Sequence, residues 1–242
     1  MRLLFLNRSF WPDQEATGQH LTELCEDLSA EHQITVVAGP SNLVRPLRRQ
    51  FRLWAKERFK EITIIRTWGT RFPKRRLPLR LFNLGSYFSF AALASLTRLK
   101  PDVIIAATDP PLLGALGVAL KRWWGCRLVY NVRDVYPDIA IANGGIKSRF
   151  LLGLLSWANN FAYAHADLLV VLGEDMRRRL LGKGIPPAKM VVVPDNIDCA
   201  KVRAPENNPL RLEYGDRFVV MYSGNLGLSQ QLETVVEAAA RL

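Results

Sequence analysis

Pro101-Asp-Val-Ile-Ile-Ala-Ala-Thr-Asp-Pro-Pro111 is the stretch whose reading decides the fold. Residues 103–107 form an unbroken apolar run with no polar residue at alternate positions, so the strand they predict is covered on both faces. Asp109-Pro-Pro111 opens a helix running to Trp123, and a second apolar strand follows over residues 127–132. Strand, helix and strand in this order make the unit of a parallel sheet, because a parallel return needs a crossover far longer than a hairpin turn.

The same alternation extends both ways. Strands are predicted over residues 2–7, 33–38, 62–66, 167–172 and 190–193. Helices are predicted over 19–30, through the apolar stretch ending at Leu99, over 149–165 and over 174–181. The expected class is α/β, a Rossmann-like doubly wound parallel sheet, which binds ligands outside the carboxyl ends of its strands. Downstream, Phe218-Val-Val-Met-Tyr222 reads as a strand, Ser223-Gly-Asn-Leu-Gly227 as a turn and residues 230–242 as a helix. The expected organisation is one complete domain over residues 1–200 with a basic insert at 45–80, a linker over 201–216, and over 217–242 the incomplete start of a second lobe. Phe218, Val220, Val235 and Val236 are expected to lack a core there.

With 49% hydrophobic and 23% charged residues the chain can bury a sizeable core and does not read as disordered. Met1-Arg-Leu-Leu-Phe-Leu-Asn7 is too short an apolar run for a secretion signal and reads as the first buried strand. Cys25, Cys126 and Cys199 are far apart and no Cys or His pair has metal-ligand spacing, so reduced thiols and no metal site are expected.

Charge is more informative. Between Arg45 and Arg80 stand thirteen Lys or Arg against two acids, Glu57 and Glu61, a local excess equal to the net +11 of the whole chain. Phe51, Trp54, Phe59, Trp68 and Phe72 are interleaved with these cations, so the segment suits an anionic membrane surface, the alternative being a solvated basic loop. Nucleic acid is not expected, because no recognition motif accompanies the charge. Residues 81–97 carry no formal charge but fall short of the ~18 to 20 apolar residues that span a bilayer, so a core helix with one exposed apolar edge is expected, the alternative being a helix lying in the membrane interface.

Three loops at strand exits carry polar chemistry. In the first, Asn7 to Gly18, Gly18 and the amides after it could receive an anion at a helix N-terminus, although a plain strand-to-helix turn would equally want Thr17-Gly18. It lacks G-x-G-x-x-G, so no dinucleotide site is supported. The second, Asn131-Val-Arg-Asp-Val-Tyr-Pro-Asp138, packs a cation, two carboxylates and a phenol into eight residues directly after a buried strand and reads as a binding loop, the alternative being a structural polar network. In the third, Glu174 and Asp175 read as helix-capping acids.

Trp11-Pro-Asp13 with Thr17-Gly18, Arg133-Asp-Val-Tyr-Pro-Asp138, Val193-Pro-Asp-Asn-Ile-Asp198 and Tyr222-Ser-Gly-Asn-Leu-Gly227, in this order, carry a resemblance. The chain resembles the family 4 glycosyltransferases of two-lobed GT-B fold, especially those of bacterial exopolysaccharide and colanic acid biosynthesis. The resemblance implies a retaining transferase whose first lobe binds the acceptor and whose second binds the nucleotide-sugar donor. It implies that Thr17 and Gly18 face the cleft between lobes, and that Asp134 orients or deprotonates an acceptor hydroxyl. It further implies that Tyr136 stacks on a sugar or lipid, that Arg133 pairs with an acceptor pyrophosphate, with Asp138 beside them, and that Gly224, Asn225 and Gly227 wrap the donor diphosphate. No cofactor is implied, the nucleotide sugar being a substrate. The implied acceptor is a lipid-linked saccharide and the implied location is the cytoplasm, peripheral on the inner face of the plasma membrane.

The sequence departs from the pattern at the second glycine turn, where Asn225, Gln230 and Gln231 stand in place of an Arg and a Lys. The family's paired donor-binding glutamates lie further along than Glu233 and Glu237, so the chain is expected to be inactive alone, its second lobe lost or supplied in trans by a partner. The other class of function left open is a non-catalytic binding module for a lipid-linked glycan or a membrane partner.

Overall fold

The computed structural model describes residues 1–41, 53–70, 72, 77–97, 100–142, 146, 148–195, 199, 209–215, 217–224, 226 and 230–241. In chain order the elements are β1 (Arg2–Leu6), α1 (Ala16–Ser29), β2 (Gln33–Ala38), β3 (Trp54–Phe59), β4 (Ile62–Thr67), α2 (Leu77–Leu96), β5 (Val103–Ala107) and α3 (Leu113–Trp124). There follow β6 (Arg127–Val132), α4 (Asp138–Ala142), α5 (Arg149–His165), β7 (Leu168–Val171), α6 (Glu174–Gly182), β8 (Met190–Val192), α7 (Pro209–Tyr214) and α8 (Glu233–Ala239).

The strands form one eight-stranded sheet in the order β3-β4-β2-β1-β5-β6-β7-β8. Every neighbouring pair is parallel except β3 with β4. β1 is central and pairs with β2 on one side (Leu6 opposite Val37) and β5 on the other (Leu6 opposite Ala106). The chain therefore winds one way from β1 to β4, crosses back through α2, and winds the other way from β5 to β8. A crevice opens at such a reversal, because the loops leaving the two central strands diverge to opposite faces.

Alternation of side chains divides the core in two. Leu3, Phe5, Ile34, Val36, Ile62 and Ile64 pack with Leu21 and Cys25 of α1. Leu4, Leu6, Val37, Ile65, Ile104, Leu128 and Tyr130 pack under α2, α3 and α5. On that second face Tyr87 of α2 is fully buried and donates its hydroxyl to the carbonyl of Val37 at 3.1 Å. Tyr130 stacks on Tyr163 with centroids 5.6 Å apart and donates to Asn159 Oδ1 at 2.9 Å. The Tyr87 and Tyr130 hydroxyls therefore enter the core with a partner, which is what makes their burial tolerable.

The basic insert differs from expectation. Residues 54–67 of it form a β-hairpin, β3 and β4, at the sheet edge; β3 was missed because Trp54-Ala-Lys-Glu-Arg-Phe59 is highly charged and shows no clear apolar alternation. Trp54 packs against the core and Phe59 stacks on Trp11 at 4.4 Å, so those aromatics are committed to the fold, whereas Trp68 and Phe72 stay exposed beside α2. Phe51 lies outside the described residues. Nor is every cation solvated: Arg66 is buried, donating to Glu57 Oε2 at 3.0 Å and to the carbonyl of Trp11 at 2.7 Å. Arg66→Met would strand Glu57 and that carbonyl without a donor, so we expect a loss of about 3 kcal/mol in urea unfolding. Glu57→Gln, which keeps a hydrogen-bond acceptor, should cost less.

Residues 218–222, expected as a strand, adopt no strand here, and Phe218 is 94% and Val220 76% exposed. An extended segment becomes a strand only through ladder partners, and this one has no neighbouring strand among the described residues. α7 falls within the expected linker, and α8 is a shorter helix than residues 230–242. Cys25 is buried, Cys126 half-buried and Cys199 exposed. Among the described residues no helix is long and apolar enough to cross a membrane.

Candidate functional site

At the reversal of the sheet, the residues just beyond β1 and β5 clasp each other. The Arg8 amide donates to the carbonyl of Asp109 at 3.0 Å, and its guanidinium donates to the Asp109 carboxylate at 3.1 to 3.3 Å. Glu15 lies 3.8 Å from the same guanidinium and accepts from Ser9 Oγ at 2.7 Å. Neither Arg8 nor Asp109 was anticipated from the sequence. Their only signal is position, each falling one or two residues past a strand, and nothing short of the strand order places them side by side.

The next loop, after β6, carries the expected cluster. The Arg133 amide donates to the Thr108 hydroxyl at 3.3 Å, fastening this loop to the exit of β5. The Arg133 side chain pairs with Asp195 beyond β8. Its charge is therefore already met by a partner that is itself half-exposed, and an entering anion would compete with Asp195. Asp134 is half-buried. Burial first, and the nearby Asp109 charge second, push its carboxyl above the usual aspartate range, while Arg133 opposes them. Tyr136 is half-buried, and its backbone lies against the buried hydroxyl of Tyr163, whose proton is held more firmly by burial. Asp138 starts α4 and pairs with Arg179 of α6 at 3.5 Å and with Lys183, which caps that helix, at 3.2 Å, so it ties the loop to α6.

The Gly18 loop is not the loop expected. α1 begins at Ala16, three residues early, and places Thr17 and Gly18 inside its first turn. The amides of Gly18 and Gln19 both donate to the carbonyl of Glu15, at 2.8 and 3.0 Å, so they are occupied. An anion at this helix end would meet the amides of Ala16 and Thr17 instead. Of the three residues expected at the donor diphosphate, Gly224 lies on the exposed segment 217–224, and Asn225 and Gly227 lie outside the described residues.

A cavity of about 410 Å³ opens at the carboxyl edge, lined in part by Asn7, Thr17, Ala107, Asn131, Arg133 and Asp195. Asn7 and Asn131 each bury a side-chain carbonyl oxygen for which the described residues supply no donor. Asn7 is held by its amide, which donates to the carbonyl of Ser9 at 2.6 Å. Two unmatched acceptors beside one cavity are costly unless something brings hydroxyls or water to them. A larger cavity of about 600 Å³ lies at the opposite edge, near Arg2, Gln33 and Thr97, where strands begin and where parallel sheets do not bind ligands.

Residues 16–196 match the glycosyl transferase 4-like domain. The chain belongs to that family. Among curated proteins, this glycosyl transferase 4-like chain is 27% identical over its whole length to the putative colanic acid biosynthesis glycosyl transferase WcaI of Escherichia coli. It is 29% identical over 69% of its length to the probable glycosyltransferase WbjE of Pseudomonas aeruginosa. It spans 63% and 44% of the lengths of these two relatives. In fold it is similar along its whole length to sucrose-phosphate synthase from Thermosynechococcus elongatus, with a TM-score of 0.73 at 15% identity, covering 60% of that chain. It is likewise similar to Anabaena HepE in complex with UDP and glucose, with a TM-score of 0.67 at 17% identity, covering 58% of that chain. The glycosyl transferase 4-like fold is thus that of the GT-B glycosyltransferases.

Proposed function

We propose that residues 1–200 form the acceptor-binding lobe of a retaining, nucleotide-sugar-dependent glycosyltransferase that extends a lipid-linked glycan in cell-surface polysaccharide synthesis. The observation that carries this reading is the half-buried Asp134, on the loop after β6 next to the reversal of the sheet, with its carboxyl pushed up by burial and the Asp109 charge. Beside its loop, the cavity holds two buried amide oxygens in need of donors. A sugar acceptor supplies such hydroxyls. As the bond forms from acceptor oxygen to anomeric carbon, the nucleoside diphosphate leaves with the electron pair of its own bond. The acceptor hydroxyl must then lose its proton, and in this reading Asp134 accepts it. The relatives support the substrate class: HepE was captured with UDP and glucose, and WcaI is named for colanic acid biosynthesis.

Residues 201–216 link this lobe to the start of a donor lobe at 217–242, where Gly224, Asn225 and Gly227 would contact the diphosphate. The protein works in the cytoplasm at the inner face of the plasma membrane, with residues 45–80 supplying cations toward it.

Residues 217–224, which lead into the donor turn, are exposed, so no described residue packs them into a preformed donor site. Isothermal titration of the 242-residue chain with UDP and GDP sugars should therefore show no saturable heat, while a chain continued through a relative's second lobe should bind one of them. Tight binding by the 242-residue chain would mean that the loops of the first sheet hold the donor, and the lobe assignment would fall.

A further inference from the structure

The helices on the α2, α3 and α5 side of the sheet cover the core with their inner faces but present apolar side chains outward. On α5, Phe150, Leu154 and Trp157 recur at helical spacing along one stripe, with Phe150 78% and Trp157 63% exposed. Trp157 stacks on Phe161 at 5.7 Å, and the Arg122 guanidinium of α3 lies 5.4 Å from the centre of the Phe161 ring. Next to Arg122 stands Trp123, 70% exposed. α2 adds Phe82, Leu93 and Leu96. A monomer in water rarely carries so many exposed aromatic and aliphatic groups on one layer.

Charge selects the occupant. Neither Asp nor Glu occurs anywhere in the sequences of α2, α3 and α5, whereas Lys121, Arg122 and Arg149 do. On the opposite face of the sheet, α1 carries Glu23, Glu26 and Asp27. Lys121 is held by Asp167 at 2.7 Å, but Arg122 and Arg149 stand among Trp and Phe on helices that carry no acid, which matches the headgroup region of an anionic bilayer, where aromatic rings and Arg side chains both sit favourably. Position agrees, since α5 follows the carboxyl end of β6 and its first turn, with Phe150, lies at the edge that bears Asp134.

We propose that the outer surface of α2, α3 and α5 docks on anionic phospholipid, with the Phe150, Leu154 and Trp157 stripe seated among the headgroups. The proposal rests on the lipid-linked acceptor of the preceding reading and gives it a surface: docking here brings the mouth of the cleft to the plane where a lipid pyrophosphate travels. Residues 45–80 then supply long-range attraction rather than the seat.

Co-sedimentation with vesicles of phosphatidylcholine, with and without phosphatidylglycerol, tests this without donor or turnover, so its result is independent of the nucleotide titration. The wild-type chain should bind the phosphatidylglycerol vesicles and release as salt rises. Phe150→Ser with Trp157→Ser should weaken that binding about tenfold or more, because two rings leave the interface. Leu24→Ser, on the exposed side of α1, should bind as wild type, with circular dichroism unchanged in both variants. Three results would overturn the proposal: no vesicle binding by the wild type, equal binding by the double variant, or a wild-type dimer in solution that the double variant abolishes while vesicle binding persists.

Discussion

Asp134→Asn, in a chain carrying a complete second lobe, should lower kcat/KM for glycosyl transfer about a hundredfold or more while leaving nucleotide-sugar affinity unchanged. The amide keeps the shape and one acceptor oxygen but cannot take the acceptor's proton. Burial and Asp109 raise the pKa of the wild-type carboxyl, so activity, which needs the ionised form, should fall as pH drops through a value above the ordinary ~3.9 of aspartate. The variant should lose this limb of the profile. Stability should move in the opposite sense. A carboxyl whose folded pKa is raised binds its proton more tightly in the folded state, so its contribution is most favourable at low pH. That contribution shrinks as pH rises from the unfolded value through the folded one. At neutral pH Asp134 is therefore a destabilising charge, and Asp134→Asn should unfold at the same or higher urea concentration than wild type. A variant that is inactive and less stable would point to a structural role instead. Measuring both quantities on one preparation separates the two.

Gly114→Val should be the most damaging single change to the fold, lowering stability by about 3 kcal/mol or more in urea unfolding. Gly114 lies in the first turn of α3, where the helix crosses α5 over β6. A Cβ there would sit 2.6 Å from Tyr130 Cζ and 2.7 Å from Ala162 Cβ. Tyr130 cannot swing aside, because it is fully buried, stacked on Tyr163 and bonded to Asn159. α3 and α5 must therefore part, opening voids along a face that holds most of the core. Gly153, on the exposed side of α5, meets nothing within 4 Å at its Cβ position. Gly153→Ala should accordingly stabilise by about 0.5 to 1 kcal/mol through helix propensity alone. If both substitutions cost the same, the close crossing of α3 and α5 is not what the glycine serves.

Much of the architecture was legible because a buried parallel strand has a simple signature. Val103 to Ala107 was delimited correctly from an unbroken apolar run and Arg127 to Val132 from a largely apolar one, as was α5. β3 was not, since an edge strand buries only part of one face and its sequence can be mostly charged. Residues 218–222 illustrate the converse: Phe, Val, Val, Met and Tyr favour a strand, yet they form none, because ladder partners rather than propensity make one. The start of α1 was misplaced by three residues, because Glu15 ends the loop in extended backbone without a Ser, Thr, Asp or Asn cap to announce it.

The candidate site divides the same way. Arg133, Asp134, Tyr136 and Asp138 are contiguous, so a reader of the chain finds them together. What each does was not legible: Asp138 turns to α6, Arg133 to Asp195, and only Asp134 remains between burial and the Asp109 charge. Arg8 and Asp109, about a hundred residues apart, meet only because β1 pairs with β5.

By itself the sequence determined the class of this protein: alternating apolar strands and helices compel a parallel sheet, and a polar loop at a strand exit marks its ligand edge. The tertiary structure alone decided which charges neutralise one another, which aromatics the core consumes and which face stays apolar in water. Those outcomes depend on strand order and side-chain direction, set by packing between residues far apart in the chain, and no local pattern encodes them.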